Sequence, residues 1–357
     1  MTGVGFNAWS SFNAQGSLNK TAALAISGIL ATAVAWIATG VVRRLAIRHA
    51  ILDIPNVRSS HQTPVPRGGG LAIALVALGA MLLETIGHAW DLRIFVALAI
   101  GGTAVAGVGY ADDLKSLSAR VRLIVHVGAS IAFLCVFAAF LNNRSIHFST
   151  YAFWVGGGLL VFALLSAVNL FNFMDGIDGI AASEAVFVAG SGAWLNCFIN
   201  GDSGLTLAFV CLASATMGFL IWNMPPARIF MGDVGSGFLG FMLTALAIVA
   251  SCTAAIPAQV WPILGGVFIA DASVTLFRRY ARGDRWFEAH KTHAYQHLAV
   301  RWQGHLPVTV LVSLINICWL FPWALYALLM PGRATLSLIV ALLPLTVLVS
   351  IAGAGKP

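Results

Sequence analysis

Charge is what this sequence most conspicuously lacks. Only 9% of its 357 residues are Asp, Glu, Lys or Arg, against roughly one-quarter in an ordinary soluble domain. A water-facing surface cannot be assembled from so little polar material, which excludes a soluble enzyme or a soluble binding module. Cysteine is scarce as well. The five thiols (Cys135, Cys197, Cys211, Cys252, Cys318) form no C-x-x-C pair, and all fall inside apolar runs. Free core thiols are therefore expected, with no disulfide framework. Low-complexity tracts and clear repeats are absent, and residues 1–20 lack the basic start and short apolar core of a cleaved leader. The net charge of +7 is spread over several short segments; that suits anionic lipid and phosphorylated substrates and does not point to nucleic acid.

What is present is oil. Hydrophobic residues make up 59% of the chain, and the mean hydropathy is +0.88. A helix needs roughly 20 mainly apolar residues to cross a bilayer. Runs of that kind lie near 21–42, 69–87, 94–111, 121–141, 152–170, 180–200, 205–224, 235–255, 259–277, 306–330 and 333–352. The sequence thus predicts an all-α, polytopic integral membrane protein of 11 transmembrane helices, or 10 if one of the weaker runs fails to cross, forming one membrane domain over residues 1–357. Orientation follows from counting Lys and Arg, which concentrate on the cytoplasmic side. With the N-terminus outside, only Lys20, Arg93, Arg144 and Arg333 face outward. The other sixteen lie in or beside inner segments near 43–68, 111–121, 170–180, 225–235 and 278–305 or, for Lys356, at the C-terminus, which is expected inside.

Those inner segments hold nearly all the chemical potential of the chain. Asp112 and Asp113 close the third run and precede Lys115, Arg120 and Arg122. Two adjacent carboxylates suit a Mg²⁺-phosphate site, or form a solvated helix end paired with the local cations. In NLFNFMDGIDG, Asn169, Asn172, Asp175 and Asp178 recur every third residue. On a continuing helix they would share one broad face and present oxygen to a hard cation; otherwise they are cap and turn chemistry. In ARIFMGDVGSG, Asp233 between Gly232 and Gly235 is either an N-cap or part of an anion-binding helix start. HQTPVPRGGG, with Arg67 before three glycines, has the same character. His290, His293 and His297 stand at i, i+3 and i+7 beside Lys291. On one helical face they would suit zinc, a basic phosphate contact, or an interfacial helix with Trp286, Phe287, Tyr295 and Trp302 at the headgroup level.

DDLKSL, NLFNFMDGIDG, RIFMGDVGSGFLG and HKTHAYQHL, in that order and all on one side, resemble the polyprenyl-phosphate N-acetylhexosamine-1-phosphate transferase superfamily. The nearer likeness is to the bacterial glycosyltransferase family 4 enzymes that initiate O-antigen and related surface polysaccharides. The resemblance runs from about residue 40 to 302. It implies an inner-membrane enzyme that transfers a sugar phosphate from a UDP-N-acetylhexosamine to undecaprenyl phosphate, releases UMP, and uses Mg²⁺ or Mn²⁺. It carries metal ligation onto Asn172 and Asp233, and catalytic roles onto Asp112, Asp113, Asp175 and His290. Substrate contacts fall to Arg67, Arg122, Asp178, Phe230, Lys291 and His293, with Phe230 against the uracil and Asp178 near the nucleotide. Arg122 stands where the family usually has Lys. HKTHAYQ departs from the multi-histidine form of the peptidoglycan-precursor enzymes and is similar to forms associated with 6-deoxy donors such as FucNAc or QuiNAc; UDP-GlcNAc is the alternative donor. The resemblance also admits a homodimer. A transporter is the distant alternative, disfavoured because the polar groups collect at span ends and not at midplane.

Overall fold

Long apolar stretches become helices, and the short polar segments between them supply the caps. The computed structural model describes residues 14–55, 63–87, 90–144, 150–201, 204–284 and 291–356. The chain forms α1 (Ala14–Arg48), a two-stranded antiparallel pair β1 (Leu52–Asp53) and β2 (Val65–Pro66), α2 (Gly70–Ile86), α3 (Leu92–Lys115), α4 (Ala119–Asn143) and α5 (Thr150–Met174). It continues through α6 (Ile180–Asn200), α7 (Gly204–Asn223), α8 (Asp233–Thr253), α9 (Val260–Leu264) and α10 (Gly266–Ala281). The short α11 (Ala294–Arg301) follows, then α12 (Leu306–Ile315), α13 (Phe321–Leu329) and α14 (Ala334–Ala352).

This is an all-α, multi-pass membrane protein. Among the described residues nine helical stretches are long and apolar enough to cross a bilayer, and α2 is a shorter apolar helix. Two expected spans depart from regular helix. The run at 259–277 is broken at Gly265 into α9 and α10, where Gly266 lies against Leu320 and leaves no room for a side chain. The run at 306–330 contains a π-helical turn, Asn316–Leu320. Pro322, two residues on, has no N–H to donate, so the hydrogen-bond register slips as it approaches. Arg43, Arg44 and Arg48, expected in a loop, instead lie on the last turns of α1, where their alkyl stems extend the helix into the interface.

The centre of the bundle is α8, whose residues from Val234 to Ala250 are nearly all buried. It packs against α3, α5 and α2 through small residues that bring backbones together. Gly70 meets Gly235, Gly101 sits under the Phe241 ring, and Gly240 lies against Ala167. Because its neighbours run antiparallel or parallel to it, the N-terminus of α8 meets the C-terminal ends of α3 and α5 and the N-terminal ends of α2 and α4. That end of the bundle carries the site.

Candidate active site

Asp233, the first residue of α8, is the hub. Its carboxylate is gripped from two sides: Arg67 Nη2 lies 3.0 Å from Oδ1 and Arg122 Nη1 lies 3.2 Å from Oδ2. Asn172 Nδ2 donates to Oδ1 at 3.1 Å. Each arginine also holds a second carboxylate, Arg67 with Asp113 at 2.8 Å and Arg122 with Asp112 at 2.7 Å. The two guanidiniums therefore tie α3, α8, α4 and the segment before α2 into one charged cluster.

The adjacent aspartates of α3 do different things. Both oxygens of Asp113 accept backbone N–H groups at the start of α8, from Asp233 at 2.9 Å and Val234 at 3.2 Å, and its side chain is 1% exposed. This is a helix cap supplied from another helix, set at the positive end of the α8 dipole. It works because the residue before α8 is Gly232, at φ +75°, where any Cβ would collide with the Asp113 carboxylate. Asp112 faces the other way and accepts the Leu117 N–H across the end of α3. Asp233 is thus not the N-cap of its own helix, because that position belongs to Gly232.

The opening between β2 and α8 is held by backbone pairs. Phe230 N donates to Pro66 O, Gly69 N to Phe230 O, and Gly70 N to Met231 O. These bonds set Arg67 across from Asp233. Burial works against the charge on Arg67, but the carboxylates of Asp113 and Asp233 beside it hold the guanidinium pKa above its ordinary value.

The three-residue step in NLFNFMDGIDG is not a helical face. α5 ends at Met174, so only Asn169 and Asn172 are helical, and Asn169 is exposed and donates to Leu165 O on its own helix. The turn-forming Asp175-Gly176 pair stops the helix, and Gly179 at φ +77° starts α6 afresh. Asp175 stays near the cluster: burial, then the negative charge of Asp233, pushes its pKa well above the usual carboxylate range. Asp178 turns away to the wall. Its Oδ2 accepts Ala227 N–H at 3.0 Å, and its Oδ1 lies 3.2 Å from His305 Nδ1.

The histidine spacing is likewise broken. His293 is the N-cap of α11, in extended conformation, so it does not share a helical face with His297. His290 lies outside the described residues. The N-terminus of α11 is held by a buried carboxylate on α10: Asp271 accepts Ala294 N–H at 2.9 Å and Tyr295 N–H at 3.1 Å, with His293 Nδ1 at 3.3 Å. Tyr295 then donates its hydroxyl to Phe173 O at 3.0 Å. Burial raises that phenol well above its ordinary pKa, so it stays a neutral donor. Lys291, exposed at the start of this segment, is thereby tied to the end of α5.

A cluster of carboxylates and paired guanidiniums at one end of a membrane bundle suits chemistry on phosphate, and comparison with known proteins decides the family. The model of "Glycosyl transferase family 4" matches residues 95–251. The chain is 31% identical to the decaprenyl-phosphate N-acetylglucosaminephosphotransferase of Mycobacterium tuberculosis, over 82% of this chain and 79% of that one. It is 29% identical to the probable undecaprenyl-phosphate N-acetylglucosaminyl 1-phosphate transferase of Bacillus subtilis, over 82% of each. It is 30% identical to the phospho-N-acetylmuramoyl-pentapeptide-transferase of a Synechococcus species, over 76% of this chain and 79% of that one. The chain belongs to glycosyl transferase family 4.

Within this family 4 protein the matched region contains Asp112, Asp113, Arg122, Asn172, Asp175, Asp178 and Asp233. The structure joins Arg67, Asp112, Asp113, Arg122, Asn172 and Asp233 by direct contact, with Asp175 in their field. It places Lys291 and His293 on the adjoining α11 segment, and Phe230 on the rim by its backbone pairs. Asp271 and His305 were missed by motif reading. Each is a single polar residue in or beside an apolar run, a weak but usable signal.

Proposed function

We propose that this protein transfers N-acetylhexosamine 1-phosphate from a UDP-sugar to undecaprenyl phosphate at the cytoplasmic face of a bacterial inner membrane, releasing UMP. The observation that carries the reading is the Asp233 carboxylate held between Arg67 and Arg122, in a chain of this family. The acceptor's phosphate oxygen forms a bond to the β-phosphorus while the bond from that phosphorus to the bridging oxygen breaks, and UMP leaves. Three anionic groups must come together, so the site's first task is to supply positive charge. Arg67 and Arg122 each commit one terminal nitrogen to carboxylates and have further N–H donors for phosphate oxygens. The exposed Lys291 supplies more. A phosphate monoester has its second pKa near 6 and is largely dianionic at neutral pH; Asp112 therefore serves to orient Arg122 and the acceptor rather than to remove a proton.

Mg²⁺, replaceable by Mn²⁺, is the proposed cofactor, and the donor chemistry fits it. Asn172 and Asp233 offer oxygen only, and four carboxylates (Asp112, Asp113, Asp175, Asp233) against two guanidiniums leave excess negative charge for a divalent cation when all are ionised. Among the described residues no three His, Cys, Asp or Glu side chains form a ready-made cage; Mg²⁺ ordinarily takes one or two carboxylates and completes its shell with water and substrate phosphate. Bound there, the ion would neutralise the donor pyrophosphate.

The donor is proposed to be a 6-deoxy-N-acetylhexosamine nucleotide, on the HKTHAYQ sequence of the α11 segment. UDP-GlcNAc is the second reading, favoured by the names of the Bacillus and Mycobacterium relatives. The test is transfer by purified protein from UDP-sugars labelled in both the β-phosphate and the sugar. Organic-extractable product carrying both labels, lost with EDTA or in Asp233→Ala, is expected, and the best donor names the sugar. Sugar label without phosphate would mean ordinary glycosyl transfer and overturn the reading.

A further inference from the structure

The same end of the bundle carries a second cationic cluster, outside the acidic one, on the outer face of α1 and α7. Trp222 is its centre. The Arg43 and Arg228 guanidiniums each lie over this indole, both 5.9 Å from the ring centroid. The arrangement is built, not splayed. Arg43 Nε donates to Arg228 O at 3.1 Å, Arg228 N donates to Trp222 O at 2.8 Å, and Trp222 Nε1 donates to Trp36 O at 3.0 Å. Gly40 lies under the indole, where a Cβ would press on it at 3.2 Å. Two guanidiniums gathered on one aromatic ring repel each other, and among the described residues neither has an acidic partner. Arg67 and Arg122 nearby are, by contrast, each paired twice.

An apolar groove opens beside this cluster. It has a volume of about 960 Å³ and is lined by Leu24, Gly28, Thr32 and Trp36 of α1 with Val210 and Ile221 of α7. Trp36 belongs to both features, since its ring stacks on Trp222 at 6.1 Å and 26°. Trp36, Gly40 and Arg43 follow one stripe of α1, so Arg43 stands roughly 10 Å beyond the groove's near end along the helix. An anion on the arginines is thus continuous with a hydrocarbon channel running toward the bilayer centre. A protein surface would need to be both acidic and greasy to fill it; a phosphate-headed lipid has that shape in one molecule, with the indoles at its glycerol level.

We infer that Arg43, Arg228, Trp222 and the α1–α7 groove form a binding site for an anionic phospholipid, with the lipid phosphate on the two guanidiniums and an acyl chain past Trp36. The site is separate from the transferase cluster and does not depend on the donor or acceptor proposed above.

The test is native mass spectrometry of the full-length protein in detergent, with phosphatidylglycerol or phosphatidylcholine of the same chain length added. Wild type is expected to retain phosphatidylglycerol selectively. Arg43→Gln/Arg228→Gln is expected to bind it about 30-fold more weakly, near the effect of two basic residues at a lipid surface. Arg120→Gln/Arg301→Gln, on α4 and α11, removes the same two charges elsewhere and is expected to bind as wild type. Equal retention of both lipids, or undiminished phosphatidylglycerol binding by the double variant, overturns the site. Loss of a dimer in place of loss of lipid assigns the face to a second copy of the chain and overturns it too. Thermal unfolding of each variant without added lipid separates these outcomes from misfolding.

Discussion

Asp113 caps a helix to which it does not belong: its two oxygens take the N–H groups of Asp233 and Val234, so the aspartate beside the proposed reacting groups is also what fixes their position. The carboxylate is buried and receives Arg67 as well. Asp113→Asn keeps one acceptor and turns an N–H toward an N–H, so it should cost about 1.5–3 kcal/mol, the range for hydrogen bonds to a charged group. Thermal unfolding in detergent checks this. A variant as stable as wild type but inactive would mean that Asp113 acts on substrate and that the cap is incidental. Asp112→Asn, which loses the carboxylate that meets Arg122 but can still accept from Leu117 N, should lose activity with a smaller loss of stability.

Arg122 bridges two carboxylates with one nitrogen. Lysine at this position keeps the charge and loses the planar fork. Losing one charge-assisted bond of about 1.5–3 kcal/mol corresponds to roughly 10- to 150-fold. Arg122→Lys is therefore expected to lower kcat/KM by that order with the fold intact, read from steady-state transfer kinetics and unfolding on the same samples. Unchanged kcat/KM would remove Arg122 from the phosphate-gripping role.

Asp271 should behave as a positioning residue. It anchors α11, and through it the Lys291 segment, by two backbone N–H groups. Asp271→Asn is expected to raise the KM for the UDP-sugar more than it lowers kcat, because the phosphate-contacting segment loosens while the Asp233 cluster stays. An equal fall in kcat with KM constant would point to a direct catalytic part.

Much of this was legible in the sequence. The apolar runs gave the helices, and Asp112, Asp113, Asn172 and Asp233 stood out because a carboxylate or amide at a span edge is costly without a purpose. What misled was periodicity read past a helix end. In NLFNFMDGIDG the step of three implies a helical face only while the helix lasts, and α5 stops at Met174. The histidine spacing failed for the same reason, since His293 caps α11 from outside it. The backbone partners of Asp113, Asp178 and Asp271 were hidden for another reason: they are amides brought in from distant parts of the chain, and no local pattern records a tertiary contact.

Asp175 predicts a pH dependence. Its folded-state pKa lies well above the usual carboxylate value because of burial first and Asp233 second. The folded protein therefore keeps this proton to higher pH than the unfolded chain, whose pKa is about 3.9. The associated stability is fully present below that unfolded value and is lost as pH rises through the folded one. In EDTA, the unfolding temperature of wild type should fall across that window, and Asp175→Asn should flatten the curve. Parallel curves would show that Asp175 is already ionised in the fold.

The last relationship lies deeper. Glu184 on α6 and Asn316 at the π-helical turn are each 1% exposed, and Asn316 Nδ2 donates to Glu184 Oε2 at 2.5 Å. Among the described residues Glu184 Oε1 and Asn316 Oδ1 have no partner. The pair sits behind the contact by which Thr309 Oγ1, on the same helix run as Asn316, donates to Asp178 O. Gln at 184 has the shape of the acid and adds a donor that one of the orphaned oxygens can use, so Glu184→Gln should hold stability within about 1 kcal/mol. Glu184→Leu leaves the Asn316 amide unmatched in an apolar interior and should cost about 1–3 kcal/mol. Removing both polar groups in Glu184→Leu/Asn316→Leu should restore most of that loss, since two apolar side chains leave nothing unpaired. Unfolding of the three variants and wild type, with Asn316→Leu completing the cycle, gives the coupling directly. A double variant as poor as the sum of its singles would mean that the two residues do not act as a pair, and that α6 is held against α12 by packing and the Asp178 end alone.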